Sequence, residues 1–255
     1  MRRVNTAAHP AARAAVLRQA LSVGVATGAY GISFGALAVS SGLAVWQACA
    51  LSALMFTGGS QFAFIGVIGA GGAPVAAIAT AAGLGVRNGF YALALQAWLP
   101  TPWPRKALAA QVTIDESTAV GIAAQSGEPA LGALGFWATG AAVYALWNLT
   151  TLIGALAGDV LGDPRRYGLD AAAAAAFLAL LWPRLGAGPG AGRARLVAAG
   201  GAFVALIATP LSPTGTPVLL AGSVAVIAGW FAPKAPRGRT DPEPGPEPEP
   251  EGGVG

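Results

Sequence analysis

Three short clusters could do chemistry, and each lies where polar groups are costly. The first is Arg87, with Asn88 beside it and Tyr91 four residues on, inside an apolar run. A guanidinium at the centre of a membrane helix costs about 2.5–3.5 kcal/mol on insertion scales. It therefore needs a counter-charge or a wet cavity, unless its stem reaches the interface. Residues four apart share a helix face, so Arg87 and Tyr91 make a patch suited to a carboxylate. The second cluster, Gly58-Gly59-Ser60-Gln61 followed by Phe62, interrupts a long hydrophobic sequence. If the helix breaks there, two half-helix ends expose backbone amides and carbonyls to a ligand, with Ser60 and Gln61 at hand. The alternative is one tilted helix that tolerates a glycine pair. The third cluster is Asp115 and Glu116. Thr113-Ile114-Asp115-Glu116 fits a T-x-x-E capping box, which would make both acids a helix start. The same carboxylates could stand at a cavity mouth, paired with Arg87 or carrying a proton in a coupling or gating role.

Catalysis finds little support among these residues. His9, the sole histidine, lies in a polar N-terminal arm, and Cys49 is the sole cysteine, so no intrachain disulfide and no cysteine-based metal site can form. No nucleophile–base pair or metal cluster is discernible, and no catalytic residue, metal or cofactor is expected.

The elements that must hold these residues are membrane helices. Of 255 residues, 55% are hydrophobic and 10% charged, against about 25% charged in soluble domains. Several apolar runs reach the ~20 residues that cross a hydrocarbon core, and the alternating segments of about ten residues typical of barrel strands are missing. The expected fold is all-α: a polytopic integral membrane protein of about six to eight transmembrane or re-entrant helices, with a discontinuous helix near residues 58–61. Residues 1–18 form a cytoplasmic arm, 19–232 a membrane permease domain and 233–255 a disordered Pro/Glu-rich tail. That tail holds seven prolines and five acids and cannot build a core. The basic N-terminus precedes an apolar run too long for an ordinary signal sequence, and an uncleaved first span is expected.

In chain order, span 1 covers Ala20–Ser41 and carries Gly24-x-x-x-Gly28 and Gly31-x-x-x-Gly35, spacings that let helix backbones approach closely. The partner could lie in this chain or in another subunit. Val45–Ala70 contains the break, and Pro74–Trp98 contains Arg87. Leu99–Lys106 reads as a loop because of its three prolines. Ala107–Ser126 reads as one mildly apolar helix and Leu131–Ala157 as a span that closes on Gly154-x-x-x-Gly158. Asp170 caps a short helix, Ala171–Trp182; Leu196–Thr209 and Pro217–Phe231 are the last spans.

Charge decides the orientation. If the broken element re-enters, twelve of the fifteen Lys and Arg residues share one side, with only Arg165 and Arg166 opposite and Arg87 within the membrane. If it crosses once, the positives scatter. The positive-inside rule favours re-entry and a cytoplasmic N-terminus. The same distribution, at the ends of apolar runs, argues against nucleic-acid binding despite a net charge of +4. Thirteen arginines against two lysines, with abundant Ala, Gly and Pro, fit a GC-rich bacterial coding sequence.

The blocks Tyr30–Ala38 (YGISFGALA), Gly42–Ala48 (GLAVWQA), Phe56–Ala63 (FTGGSQFA), Arg87–Tyr91 (RNGFY), Thr113–Ser117 (TIDES) and Gly168–Asp170 (GLD) resemble the AzlC family, large subunits of bacterial branched-chain amino acid exporters. The resemblance covers roughly Ala20–Phe231. It implies a multi-pass permease of the bacterial cytoplasmic membrane that exports leucine, isoleucine, valine or related amino acids with a small hydrophobic AzlD-like subunit. One departure matters: Gly85 and Asn88 stand where the family often has Asn and His around the arginine, so a histidine proton relay is not implied. Physical inference makes Gly58, Gly59, Ser60, Gln61, Phe62, Arg87, Asn88 and Tyr91 the expected substrate-binding residues, and Asp115 and Glu116 the expected coupling or gating residues. Arg87 or the half-helix amides would hold a carboxylate. Asp115, Glu116 or free carbonyls would hold an ammonium, and Phe62, Phe64 and Phe90 would line an apolar pocket. Export of another small solute, a non-transporting scaffold and a membrane-embedded enzyme are the competing readings.

Overall fold

The computed structural model describes residues 10–99, 101–125, 129–161, 166, 178, 181–182, 185–186, 188 and 190–231. The N-terminal nine residues, the Asp170 cap and the Pro/Glu-rich tail lie outside the described residues, as does most of Ala171–Trp182. Among the described residues the protein is all-helical. The helices are α1 (Pro10–Ser40), α2 (Val45–Leu54), α3 (Gly58–Gly69), α4 (Pro74–Gln96), α5 (Trp103–Gln111), α6 (Asp115–Gln125), α7 (Pro129–Leu161), α8 (Ala191–Ala208) and α9 (Thr216–Trp230). By length and apolar composition α1, α7 and α8 can each cross a membrane. The 23 residues of α4 span about 34 Å at 1.5 Å each. Large apolar side chains such as Trp46, Leu54, Val75, Phe90 and Leu206 point outward, as expected where lipid is the solvent.

Helix ends follow local chemistry. Gly71 follows α3 at φ +76°, and the amides of Gly71 and Gly72 return to the carbonyls of Ile68 and Val67. This is the left-handed stop that a Cβ would oppose. Pro74 opens α4, where its missing N–H costs nothing.

The seam between α1 and α7 forms the spine. Gly24 and Gly28 lie against Ala142 and Leu146, and Gly31 and Gly35 against Thr150 and Thr151. Both series rise together, so the two helices run parallel. A Cβ at Gly31 would fall on the Thr150 hydroxyl, at Gly35 on the Thr151 carbonyl and at Gly154 on the Ile32 carbonyl. Thr150 Oγ1 also donates to the Gly28 carbonyl at 2.6 Å. The partner of the glycine stripe in span 1 is therefore within this chain.

The expected broken element exists and turns back on itself. Its unwound residues are Met55–Thr57, and Gly58–Gln61 form the first turn of α3. Gly69, at the end of α3, packs against Ser41, just before α2. Leu43 and Trp46 of the α2 arm frame one outer groove with Ile68 and Pro74 of the α3 side. With 10 and 12 residues, each arm reaches about 15–18 Å, half of a ~30 Å core. The element is a re-entrant hairpin.

A second hairpin lies where the sequence suggests a loop and one helix. The proline-rich segment becomes helical at Trp103, and Ala107–Ser126 is split at Val112–Ile114 into α5 and α6. At the open end, Gly121 packs against Trp98, and Gly132 against Gln125 and Trp98; at the deep end Asp115 meets Arg87.

Helix directions follow from these contacts. α1 runs from the end that carries the N-terminus to the far end, and the first hairpin enters and leaves at that far end. α4 returns, and the second hairpin enters and leaves on the N-terminal side. Thus α1–α3 and α4–α6 are each a long helix plus a re-entrant hairpin, in opposite orientations, the inverted architecture of many transporters. α7 then crosses alongside α1 in the same direction. α9 runs parallel to α4, since Gly215 meets Ala76 and Leu219 meets Gly83. α8 is antiparallel to α9, with Gly200 against Val224 and the Arg193 guanidinium on the Ala228 carbonyl. Arg13, Arg18, Arg105, Lys106, Arg193 and Arg195 consequently lie toward the N-terminal side, while Arg166 follows the opposite end of α7.

Candidate functional site

The two helix breaks meet at a central cavity of about 180 Å³. Its walls come from every element of the inverted pair except α2 and α5, and from α7. Thr27 and Tyr30 belong to α1; Phe56, Thr57, Gly58, Gly59 and Phe62 to the first break and α3; Arg87 to α4; Ile114, Asp115 and Glu116 to the second break and α6; and Val143 and Trp147 to α7. Pockets for drug-sized ligands run to ~300–1,000 Å³, so this cavity suits a smaller solute.

Charge and hydrogen bonding are unevenly shared around it. Arg87 Nη2 lies 2.8 Å from Asp115 Oδ2, and Tyr91 donates to Asp115 Oδ1 at 2.5 Å. The Arg87 charge is thus balanced by Asp115 at the second break. Glu116 is held differently, accepting only a long bond from Thr27 Oγ1 at 3.4 Å among the side-chain contacts described. Both acids occupy the first turn of α6, where the helix dipole favours negative charge. The T-x-x-E box does not form. Thr113 Oγ1 turns back to the Ala109 carbonyl, and Ser117 Oγ accepts the Ile114 amide instead. The acids are thus both a helix start and part of the cavity wall.

Gln61 has a different place from the one its position in the sequence suggests. Its side chain is fully buried, donating to the carbonyls of Met55 at 2.8 Å and Ser52 at 3.3 Å and accepting from Trp147 Nε1 at 2.9 Å. It satisfies carbonyls that the end of α2 leaves without helical partners. Gly58 and Gly59 line the cavity at the N-terminus of α3, where free backbone amides form a ready anion site. The indole of Trp147 lies 3.1 Å from where a Gly58 Cβ would stand, so the glycine admits this close packing. Among the described residues five enclosed polar atoms have no hydrogen-bond partner, and three of them are Ser60 Oγ, Arg87 Nε and Asn88 Oδ1. These three belong to α3 and α4, which approach at Ser60 and Gly85. Enclosed polar atoms are rarely left unpaired, and this cluster marks a second polar zone at the α3–α4 contact.

Of the expected site residues, the structure places Gly58, Gly59, Phe62, Arg87, Asp115 and Glu116 on the cavity wall. Tyr91 stands behind Asp115, while Ser60, Gln61 and Asn88 do not line the cavity. Two aromatic assignments need correction. Phe90 is 66% exposed on the outer face of α4, and Phe64 lines the outer groove beside α2. The apolar wall is built instead by Phe56, Ile114, Val143 and Trp147, with Phe62. Thr27, one of the few polar residues in the first span, was the available signal for α1; nothing in the sequence singled out Val143. Among the described residues no group of three His, Cys, Asp or Glu could hold a metal ion.

An inverted pair of helix-plus-hairpin units around a small charged cavity defines a polytopic membrane protein of transporter architecture. A protein-family model described as AzlC protein matches residues 22–161, from within α1 to the end of α7. The chain belongs to the AzlC family, and this membership supports a role in membrane transport. Comparison with curated proteins gave no match, nor did comparison with solved structures.

Proposed function

We propose that the protein is a permease subunit that exports branched-chain or other neutral apolar amino acids across a bacterial cytoplasmic membrane. It would stand with its N-terminus inside and work with a small hydrophobic AzlD-like partner. One observation carries the reading: a cavity near 180 Å³ that offers an anion site, a cation site and an apolar wall within a few side chains of one another. Arg87 and Asp115 neutralise each other. That leaves the α3 amides at Gly58–Gly59 for the carboxylate of a zwitterion and Glu116 for its ammonium, with Phe56, Phe62, Ile114, Val143 and Trp147 around an aliphatic side chain. Arg87 supports the carboxylate from the side. The sidedness rests on the basic residues, which gather at the N-terminal end of the helices. Transport by alternating exposure needs no covalent chemistry and no cofactor.

The test is efflux of leucine from cells loaded with a leucine-containing dipeptide, with and without this chain and its small partner. The expected result is faster efflux with the chain present, lost in Glu116→Gln and spared in the lipid-facing Phe90→Ala. Efflux unchanged by the chain for leucine, isoleucine and valine would overturn the amino acid reading.

A further inference from the structure

A second, wider cavity of about 500 Å³ opens between α4, α5 and α7, lined by Gln96, Thr101, Lys106, Ala109, Thr113 and Phe136 among others. Three elements independently fix where it lies relative to the central cavity. Along α4 the central cavity touches Arg87 and the second cavity begins at Ala92, with Tyr91 between them. Along the second hairpin the wider cavity ends at Thr113 and the central one begins at Ile114. Along α7 the wider cavity touches Phe136 and the central one Val143, about 10 Å apart at 1.5 Å per residue. The two are therefore stacked toward the N-terminal, basic side, and the partition between them is the Tyr91–Asp115–Arg87 cluster.

The opposite side of the central cavity is built otherwise. There Phe34, Phe62 and Trp147 pack ring on ring, with centroids 5.7–6.2 Å apart, and Ala38, Ile65 and Ala155 fill in behind them. Together these side chains form an apolar plug.

We infer that the wider cavity is an access vestibule for carboxylate-bearing cargo, that Tyr91–Asp115–Arg87 is the thin gate between it and the binding cavity, and that the aromatic trio is the closed gate on the far side. The inference rests on the permease reading, for which it supplies the route. Lys106 is exposed at the vestibule, where its charge draws in an anionic group. The gate is polar and ionic, so a zwitterion can displace its internal pair with groups of its own. The aromatic plug offers no such exchange and opens only if α3, which carries Phe62, draws away from α1 and α7.

Thiol accessibility tests this without needing transport. In a Cys49→Ala background, single cysteines replace Ala109 (vestibule), Val143 (binding cavity) and Ala38 (plug). Vesicles of both orientations are treated with a charged, membrane-impermeant methanethiosulfonate. The expected result is that Ala109→Cys reacts only from the side bearing the N-terminus and Ala38→Cys from neither. Val143→Cys should react slowly, and at least tenfold faster from that same side once Tyr91→Phe or Asp115→Asn opens the gate. Gln96→Cys serves as a second vestibule position should Ala109→Cys fail to fold. Reaction of either vestibule cysteine from the opposite side, or of neither in folded protein, would overturn the vestibule. A Val143→Cys rate unmoved by both gate variants would overturn the gate. Labelling as expected in a chain that exports no amino acid would leave the route standing and sink only the choice of cargo.

Discussion

The two re-entrant hairpins are near copies in length, 10 and 12 residues against 9 and 11, yet they handle their breaks in opposite ways. The first break is closed by neutral groups. Gln61 donates to carbonyls freed at the end of α2, and Trp147 locks Gln61 in turn. The second is open and charged: Asp115 and Glu116 face the cavity, and it is stapled locally by Ser117, bonded to the Val112 carbonyl at 2.5 Å and to the Ile114 amide at 3.1 Å, and by Thr113 on the Ala109 carbonyl. A satisfied neutral network fixes geometry, whereas charges balanced across a gap can be rebalanced by a guest. The first hairpin thus keeps its own internal geometry while presenting helix amides, and the second is the one whose break answers to cargo.

Substitutions can break this contrast. The largest effect on transport is expected from Arg87→Ala, which leaves Asp115 facing the cavity uncompensated. The pair is a fifth to a third exposed (33% and 21%), so the loss is placed below that of a fully buried pair, at about 1–3 kcal/mol or ~10–100-fold in efflux. The folded yield should fall less, and Arg87→Gln with Asp115→Asn should restore folding without restoring export; gel filtration and efflux on the same samples read the two apart. Next comes Gln61→Leu, which strands buried carbonyls and the Trp147 N–H at about 1–3 kcal/mol each. Here the damage should appear as a lower unfolding temperature, with export per folded molecule nearly kept. If Gln61→Leu instead abolished export in fully stable protein, the two breaks would not differ as described. Ser117→Ala should cost about 1 kcal/mol of stability, since it removes one staple of the second break. Phe90→Ala should change stability by no more than ~0.5 kcal/mol, because the ring points into lipid.

Much of this was legible in the sequence because membrane burial makes polar residues conspicuous. Arg87, the acids and the Gly58–Gln61 interruption stand out against apolar runs, and the glycine spacing of α1 announced its seam. The charge distribution anticipated the re-entrant fold of the first hairpin. What stayed hidden has a common cause. In a lipid-facing helix both faces are apolar, so periodicity no longer separates inside from outside; this is why Phe64 and Phe90 were assigned to a pocket that Phe56, Val143 and Trp147 actually line. The second break escaped notice because Val112–Ile114 contains neither glycine nor proline. The start signal at Asp115 was visible, but its meaning as the far side of a gap depends on Gln111, whose amide donates at 2.6 Å to the Ala53 carbonyl beside the first break. That contact joins residues 58 positions apart and leaves no local trace.

The glycine seam has a mechanical consequence. With backbones in direct touch at Gly31, Gly35 and Gly154, α1 and α7 cannot slide or swing apart without losing contacts along several turns, so they behave as a single girder. The girder welds α1 to α7 alone, since the seam takes in neither hairpin. In any rocking motion α1 and α7 would therefore move as one body, and the hairpins would shift against it.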